Sequence, residues 1–420
     1  MNDFLRNYVQ TTLGELCVLD NGVKVHGEKL PLLDVKYLRG KKEAEYLDSG
    51  VVLNDGQYAI LVDGENSGEV FRIHETGYMG STFKRLACPD DRLLEYLLYI
   101  IKFNQKMFRE NKKGSAIPHL DKKLFKELSI NLPPLAEQGR IVAKIEELFA
   151  GIDAGVENLK SVKNQIALYR QSVLKSAFDG TLYKTTEWNF TSIGTVCDIN
   201  PKTVLPDFSD DSIVSFLPMP TVEAETGAFS PEMVEYKKVK KGYTKFQNND
   251  VLFAKITPCM ENGKSCVVRD LIQGVGFGST EFHVLRCHAG MLPEYVFYFV
   301  VQKVFRSKAI PFMTGAVGQK RIPADYLRDC EIPIPSLTEQ ERIVAEIESR
   351  FERADVLETT VDAALADAEK LKQAVLKKAF SGELVPQNPD DEPASVLLDR
   401  IRAERAAEQR ANPKKGKRKR

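Results

Sequence analysis

The sequence lacks any run of about 18 apolar residues, and its longest apolar stretch, Leu292 to Val301, is broken by Pro293 and Glu294. Met1-Asn2-Asp3-Phe4 carries no signal-peptide pattern, so a cytoplasmic protein without membrane contact is expected. The seven cysteines (Cys17, Cys88, Cys197, Cys259, Cys266, Cys287 and Cys330) include no C-x2-C pair, which points to reduced, mostly buried thiols. Cys287-His288, near Cys266 and His283, lacks zinc-ligand spacing. Catalytic signatures are missing as well. There is no G-x-G-x-x-G after a strand, no G-x-S-x-G, no H-E-x-x-H and no N-P-P-aromatic tetrapeptide. Pro89-Asp90, Pro206-Asp207 and Pro389-Asp390 are not followed by the acid-x-Lys spacing of a metal-dependent nuclease. Asn262-Gly263-Lys264-Ser265 looks like the end of a phosphate-binding loop, but Pro258 stands where the first glycine must be. Together these absences favour a binding protein over an enzyme, with no catalytic residue, metal ligand or cofactor in the chain.

Net charge is also absent, with 59 Lys/Arg against 59 Asp/Glu. The zero hides a split. Asp399 to Arg420 holds ten Lys/Arg and three Asp/Glu, a tail of +7 on a body of −7. An acidic average does not exclude nucleic acid, because binding depends on where the charge sits. A chain of 420 residues with 43% hydrophobic and 28% charged content is a soluble protein of two or three domains.

What is present is a repeat. Leu132 to Leu182 returns at Ile334 to Leu384 with a constant offset of 202 residues, and 20 of 51 positions are identical. Apolar residues recur at three and four, from Ile141 through Ile145, Leu148 and Ile152 to Ala177, and from Ile343 through Ile347 and Phe351 to Ala379. A narrow stripe of this period is a coiled-coil seam. Pro133-Pro134 and Pro335-Ser336 mark the starts, Ser336 to Glu339 has capping-box spacing, and Gly180 and Gly382 sit where C-cap glycines belong. A helix of about 43 residues is about 65 Å long, too long to pack inside one domain. The economical arrangement pairs the two helices antiparallel within the chain; a coiled coil joining two chains is the alternative.

The segments between the helices repeat more loosely. In the first, Thr12 to Leu16 reads as a short strand or turn, Val51 to Leu53 and Gln57 to Val62 as strands separated by the Asn54-Asp55-Gly56 turn, and Leu93 to Phe108 as a helix. The second echoes it: Thr191 to Gly194 follows Thr11 to Gly14, Asn249-Asp250 follows Asn54-Asp55, Gly278 to Phe282 follows Gly80 to Phe83, and Glu294-Tyr295-x-x-Tyr298 follows Glu95-Tyr96-x-x-Tyr99. The predicted fold is α+β: two similar mixed α/β domains in pseudo-two-fold tandem, separated by two long helices forming an antiparallel coiled coil. The expected divisions are 1–136, 137–182, 183–338, 339–385 and a charged basic tail, 386–420. Ala394 to Ala411 is expected to be a short charged helix within that tail.

Basic residues cluster in loops beside glycine, polar and aromatic neighbours. The candidates for DNA contact are Lys36, Arg39, Lys41, Lys42, Lys112, Lys113 and Ser115 in the first domain. In the second they are Lys237, Lys238, Lys240, Lys241, Tyr243, Lys255, Thr257, Gln319, Lys320 and Arg321. Glycine lets the backbone approach a phosphate, each Lys displaces a counterion, and Arg, Gln, Asn and Thr are types that read base edges.

The chain resembles the specificity subunit of type I restriction–modification systems, a host-defence family. The resemblance rests on P-x-L-x-E-Q-x-R-I-V-A-x-I-E at Pro133 to Glu146 and Pro335 to Glu348, and on V-L-K-x-A-F-x-G-x-L at Val173 to Leu182 and Val375 to Leu384. Phe253 to Lys264 also looks like a segment recurrent in that family. The resemblance covers nearly all of 1–385. It implies two target recognition domains, each reading half of a bipartite double-stranded DNA target, and helices that set the spacing and dock two methyltransferase subunits. Restriction–translocase subunits would join through that core. S-adenosylmethionine, ATP and magnesium would belong to those partners, whose complex cleaves DNA and methylates adenine. The docking positions it suggests are Glu137, Gln138, Arg140 and Phe178, with Glu339, Gln340, Arg342 and Phe380. Half-site centres about one helical turn apart, about 34 Å, would require the domains to fold back along the DNA or the DNA to bend. The competing readings are a non-catalytic protein-binding scaffold with duplicated domains and a single-chain DNA-modifying enzyme.

Overall fold

The computed structural model describes residues 7–112, 118–183, 188–316 and 318–411. The repeat becomes two helices of 44 residues each, Leu135–Phe178 and Leu337–Phe380, here called the first and second spacer helices. Their ends follow from local chemistry. The Glu339 amide donates to the Ser336 hydroxyl at 3.3 Å, half of the expected capping box. Gly180 and Gly382 have φ of +80° and +79°, and the Leu182 amide reaches back to the Ser176 carbonyl at 2.9 Å, closing the first helix as a glycine-capped turn does.

The chain divides into two compact units, Met1–Asn158 with Ala364–Arg420, and Leu159–Ala363. Each unit therefore holds one mixed domain and a portion of both spacer helices. Within each unit the helix portions run antiparallel. In the first, Lys372 pairs with Asp153 at 2.5 Å and its ammonium lies over the Phe149 ring. In the second, Lys163 pairs with Asp362 at 2.8 Å and Arg170 with Asp355 at 2.5 Å, so partners descend in number as the first helix ascends. Pairing within one chain is thus what these contacts favour.

The first unit's domain begins with strand Val9–Thr12, antiparallel to Ser129–Leu132, with Val9 opposite Leu132. A four-stranded sheet follows in the order Val18–Asp20, Phe83–Ala87, Tyr58–Leu61, Val70–Arg72. Strands Lys24–Leu33, Tyr46–Leu53 and Gly77–Met79 close a small barrel. The second unit's domain repeats this with strand Asn189–Ser192 on Glu331–Ile334 and a four-stranded sheet of Cys197–Ile199, Phe282–Cys287, Val251–Ala254 and Ser265–Val267. A second four-stranded sheet replaces the barrel: Glu232–Glu235, Ile213–Leu217, Val275–Gly278 and Thr244–Gln247.

Two local expectations change. Thr12 to Leu16 is a strand end followed by a one-turn helix, Leu13–Leu16, because Leu13 and Leu16 are both fully buried on one side. The helix at 93–108 breaks at Asn104, whose side-chain amide donates to the Ile100 carbonyl at 2.9 Å and separates Asp91–Phe103 from Gln105–Glu110. The Asn54–Gly56 turn separates strands Tyr46–Leu53 and Tyr58–Leu61 as expected, and the two strands belong to different sheets.

The aromatic joints between domain and spacer helices are duplicated. Tyr99 meets Phe149 edge-on at 6.0 Å, and Tyr298 meets Phe351 at 5.9 Å. Tyr96 packs on Phe380 at 5.7 Å, and Tyr295 on Phe178 at 4.9 Å. Each domain therefore grips the start of the helix that follows it and the end of the other copy.

The tail forms helix Ala394–Ala411, as expected, but its packing was not legible. Ala394, Leu397, Leu398 and Ile401, one face at helical spacing, are buried in the first unit's core with Leu13 and Leu16. Arg402 pairs with Glu15 at 3.1 Å, Arg405 donates to the Gly14 carbonyl at 2.9 Å, and the Ala394 amide donates to the Asn7 carbonyl at 3.0 Å. The apolar face of this charged helix is therefore part of the first unit's core. The cationic stretch from Asn412 lies outside the described residues.

Candidate nucleic-acid interface

In the second unit, Asn200, Lys202, Thr203, Tyr243, Lys245 and Lys255 line an open groove of about 500 Å³. The polar frame behind it is rigid. Arg286 donates two bonds of 2.8 Å to the carboxylate of the buried Asp250, and also reaches the Lys202 carbonyl at 3.3 Å and the Thr203 hydroxyl at 3.1 Å. The bond to Asp250 raises the Arg286 pKa further, so this guanidinium is permanently charged. Asn200, in the left-handed region at φ +53°, accepts from the Val284 amide at 3.0 Å and bonds the His283 ring at 3.0 Å. His283 bonds the Ile322 carbonyl at 2.9 Å, and burial pushes its pKa down, so it is held neutral. Among the described residues, Lys202, Lys245 and Lys255 have no carboxylate within ion-pair reach of their ammonium groups. These lysines, of which Lys255 also lies near enough to Glu281 to help hold that carboxyl below its usual pKa, stand beside a half-exposed Tyr243 ring and suit a phosphate backbone with a base or sugar edge.

Lys255, which lines this groove, opens the segment Lys255 to Lys264. The Ile322 amide donates to the Lys255 carbonyl and the Thr257 amide to the Lys320 carbonyl, both at 2.9 Å. Arg321 holds Glu281 through bonds of 2.9 and 2.8 Å, and these hold the Glu281 carboxyl below its usual pKa. The far end of the segment is fixed by Arg306, which is 5% exposed. Its guanidinium bonds the Val301 carbonyl at 3.0 Å, the Glu261 carbonyl and the Glu225 carboxylate. Gly263, at φ +74°, makes room: a Cβ there would lie 3.1 Å from Arg306 Cζ. The Lys264 ammonium donates to the Met219 carbonyl at 3.0 Å and Ser265 is fully buried, so the Asn262 to Ser265 sequence is a structural joint.

The other basic positions are less free than their sequence suggests. Lys237 pairs with Asp211 at 3.0 Å and Glu235 at 3.3 Å, Lys238 with Glu235 at 3.3 Å, and Lys240 with Asp210 at 2.9 Å. Lys241 is exposed beside them. In the first unit Arg39 pairs with Glu69 and lies over Phe71, while Lys42 bonds Glu45 at 2.6 Å and Asp34 at 3.2 Å, which raises its pKa. Lys112 bonds the Glu65 carboxylate at 2.8 Å. Such exposed pairs are weak and screened by solvent, so a phosphate can displace the carboxylate. Lys36 and Lys41 lie exposed around the one-turn helix Val35–Leu38. Thr257 is engaged internally with Glu261 at 3.0 Å, whereas Gln319 and Lys320 are exposed. Lys113 and Ser115 lie outside the described residues. Sequence reading missed Lys202 and Lys245; the only signal was Asn200-Pro201-Lys202-Thr203, a polar turn leaving a strand.

The positions expected to dock partners are mostly internal joints. Glu137 is 1% exposed and accepts from the Tyr8 hydroxyl at 2.6 Å; burial first, then that bond, raises the Tyr8 pKa. Its counterpart Glu339 accepts from the Trp188 indole at 3.1 Å. Gln138 and Gln340 donate to the Pro133 and Pro335 carbonyls at 2.8 and 3.1 Å, and Gln340 also ties Gly290 and Leu292. Phe178 is buried, and Phe380 is half-buried between Tyr96 and Phe103. Arg140 pairs with Asp391 at 2.6 Å, and Arg342 is exposed over the Tyr183 ring at 4.9 Å. For Glu137, Gln138 and Gln340 burial leaves almost no side-chain surface for a partner, and Phe178 keeps only 8% exposed; all four hold helix to domain.

Among the described residues, no group of three or more His, Cys, Asp or Glu is placed to hold a metal ion, and no helix is long and apolar enough to cross a membrane. The type I restriction modification DNA specificity domain matches the chain twice, over residues 8–164 and 185–365. The chain belongs to that family. Among its relatives are the type I restriction enzyme EcoAI specificity subunit of Escherichia coli, 35% identical over 262 residues, and the EcoEI specificity subunit, 32% identical over 321 residues. Those matches cover 52% and 64% of this chain but only 44% and 53% of the relatives, so the chain spans about half their length. The EcoDI specificity subunit is 26% identical over 419 residues, 86% of this chain and 92% of its own. The fold is that of a chain solved in work on complex assembly in a type I R-M system, with TM-score 0.68, 18% identity and coverage of 90% and 98%. It is also that of the HsdS subunit from Thermoanaerobacter tengcongensis, with TM-score 0.50, 19% identity and coverage of 90% and 97%.

Proposed function

We propose that this chain is the DNA sequence-specificity subunit of a type I restriction–modification complex. Each domain reads one half of a bipartite duplex target, and the spacer helices hold the two readers at a set separation. Methyltransferase subunits, two per chain, supply methyl transfer with S-adenosylmethionine, and restriction–translocase subunits supply ATP-driven cleavage with magnesium. The role of this chain is recognition in the cytoplasm.

One observation carries the reading. The joints between domain and helix are the same in both halves, down to Tyr99 on Phe149 and Tyr298 on Phe351, while the outer loops differ. The first half carries Lys36, Arg39 and Lys41 around a one-turn helix; the second carries Lys202, Tyr243, Lys245 and Lys255 in a groove. A shared frame with unlike polar surfaces supports the reading of two unlike half-sites. The test is selection from random duplexes by the chain assembled with its methyltransferase partner. Two short fixed elements at constant spacing are expected. A pool with no enriched sequence, or with one contiguous element, would refute the assignment.

A further inference from the structure

We propose that each unit carries a built site for a cross-strand disulfide, Cys17 with Cys88 in the first and Cys197 with Cys287 in the second, closed by exchange with a low-molecular-weight disulfide. The observation is a second duplication, outside the spacer repeat. Cys17 stands three residues after Gly14, as Cys197 stands three after Gly194. Cys88 stands five after Phe83, as Cys287 stands five after Phe282. Four of the seven cysteines thus fall into two like pairs.

The sheets bring the members of each pair together. In the second unit Cys197 faces Cys287 across strands Cys197–Ile199 and Phe282–Cys287, and their sulfurs are 3.6 Å apart. In the first, Val18 faces Ala87, and the register continued by one residue sets Cys17 opposite Cys88. The Cys17 amide donates to the Leu13 carbonyl and the Cys197 amide to the Ile193 carbonyl, so neither bonds the opposite strand. The His288 amide, one residue on, donates to the Val196 carbonyl at 2.9 Å. Non-hydrogen-bonded pairs of this kind bring opposite Cα atoms to about 4.5 Å, inside the roughly 4.4–6.8 Å that a disulfide spans. Cys266, by contrast, faces Leu252 and has no thiol opposite.

Each pair joins a partly exposed thiol, Cys88 or Cys287, to a buried one, Cys17 at 2% or Cys197 at 1% exposure. The more exposed sulfur attacks the small disulfide R′S–SR′, which forms a mixed disulfide and releases one R′SH. The buried sulfur then attacks the protein sulfur of that mixed disulfide, and the second R′SH leaves. Two protein thiols are oxidised, one small disulfide is reduced, and the two thiol protons depart on the two R′SH. Burial pushes the Cys88 pKa up to about 11 and the Cys17 pKa up to about 12, so exchange at neutral pH is slow. The bond ties down a sheet edge. Strands Val18–Asp20 and Cys197–Ile199 are three residues long and lie at the ends of their sheets, paired on one side only. Edges with few partners open at low cost. In the second unit that strand leads directly into Asn200, Lys202 and Thr203 of the groove. The cysteines there are 90 residues apart, so the link also restrains a long loop of the unfolded chain.

The experiment maps the thiols and melts the protein. The full chain is incubated for hours with excess oxidised glutathione, alkylated, digested without reductant and mapped by mass. Linked peptides joining Cys17 to Cys88 and Cys197 to Cys287 are expected, with Cys259, Cys266 and Cys330 free or glutathionylated. Calorimetry of the same material should show both units' transitions raised by on the order of 10 °C, and reductant should reverse the rise. Cys88→Ala and Cys287→Ala each remove the more exposed sulfur, and each should abolish the rise in its own unit alone. Melts of the reduced variants report whether they fold as wild type does; where one does not, the wild-type map decides by itself. Free thiols or stable glutathione adducts at either pair, links between other cysteines, or a lowered transition in the linked protein would overturn the proposal.

Discussion

Phe178 ends the first spacer helix in a V-L-K-x-A-F pattern that reads from sequence as a partner-docking mark, yet its ring lies 4.9 Å from Tyr295 and 5.4 Å from Phe299, with 8% of its surface exposed. If it is a core side chain, Phe178→Ala should destabilise the second unit by about 3–5 kcal/mol, which includes about 0.5–1.5 kcal/mol for each ring pair. For a unit of this size about 2–4 °C is lost per kcal/mol, so its melting transition should fall on the order of 10 °C. Phe178→Leu restores most of the volume and should cost only about 1 kcal/mol. Differential scanning calorimetry of the full chain reads both variants, with the first unit's transition as internal control. An unchanged melt for Phe178→Ala combined with lost methyltransferase binding would refute the argument, because it would place the ring at a partner surface.

Further outcomes follow from the same contacts. Leu398→Asp puts a charge at a 1%-exposed position of the tail helix and should destabilise the first unit by more than about 3 kcal/mol while leaving the second transition in place. Replacing Lys202, Lys245 and Lys255 together by Gln should reduce the slope of log affinity against log salt by about 2–3, read by fluorescence anisotropy of the assembled complex; an unchanged slope would remove the groove from the interface. His283 has a folded pKa below its unfolded value, so its contribution is intact above the unfolded pKa and is lost as pH falls through it toward the folded value. Melts of wild type should therefore drop as pH falls from about 7 toward 5 more steeply than those of His283→Gln. Arg306→Lys replaces a planar fork that reaches three acceptors with a single ammonium that cannot span them, and amide exchange across 255–264 should quicken; exchange equal to wild type would show that the guanidinium does not fix that segment.

The spacer helices were legible because their signals are local. Proline entries, C-cap glycines and a 3–4 stripe over about 40 residues all sit within the segment they describe. The antiparallel sense needed the duplication itself, and Lys163 with Asp362 is its structural counterpart. Strand pairing was less legible. Asn54-Asp55-Gly56 announces a turn, but nothing nearby says that its flanking strands join different sheets, since register is set by partners far along the chain. The basic clusters were visible as lysines; their carboxylate partners Asp210 and Asp211 lie some 26 to 30 residues away in sequence and were not. Conversely, Lys202 and Lys245 look unremarkable singly, and only the fold brings them beside Lys255. The E-Q pairs signalled importance without revealing its kind: Glu137 and Gln138 are buried because they tie the helix start to Tyr8 and Pro133.

The central claim is that each domain reads its own half-site, and one selection experiment tests it directly. The assembled complex carrying Lys202→Ala and Tyr243→Ala is put through the same random-duplex enrichment as wild type, at one salt concentration. Relaxed preference in one element of the bipartite target, with the other element and the spacing unchanged, is the predicted result. Equal relaxation of both elements, or an unaltered target, would contradict the division of labour between the two domains.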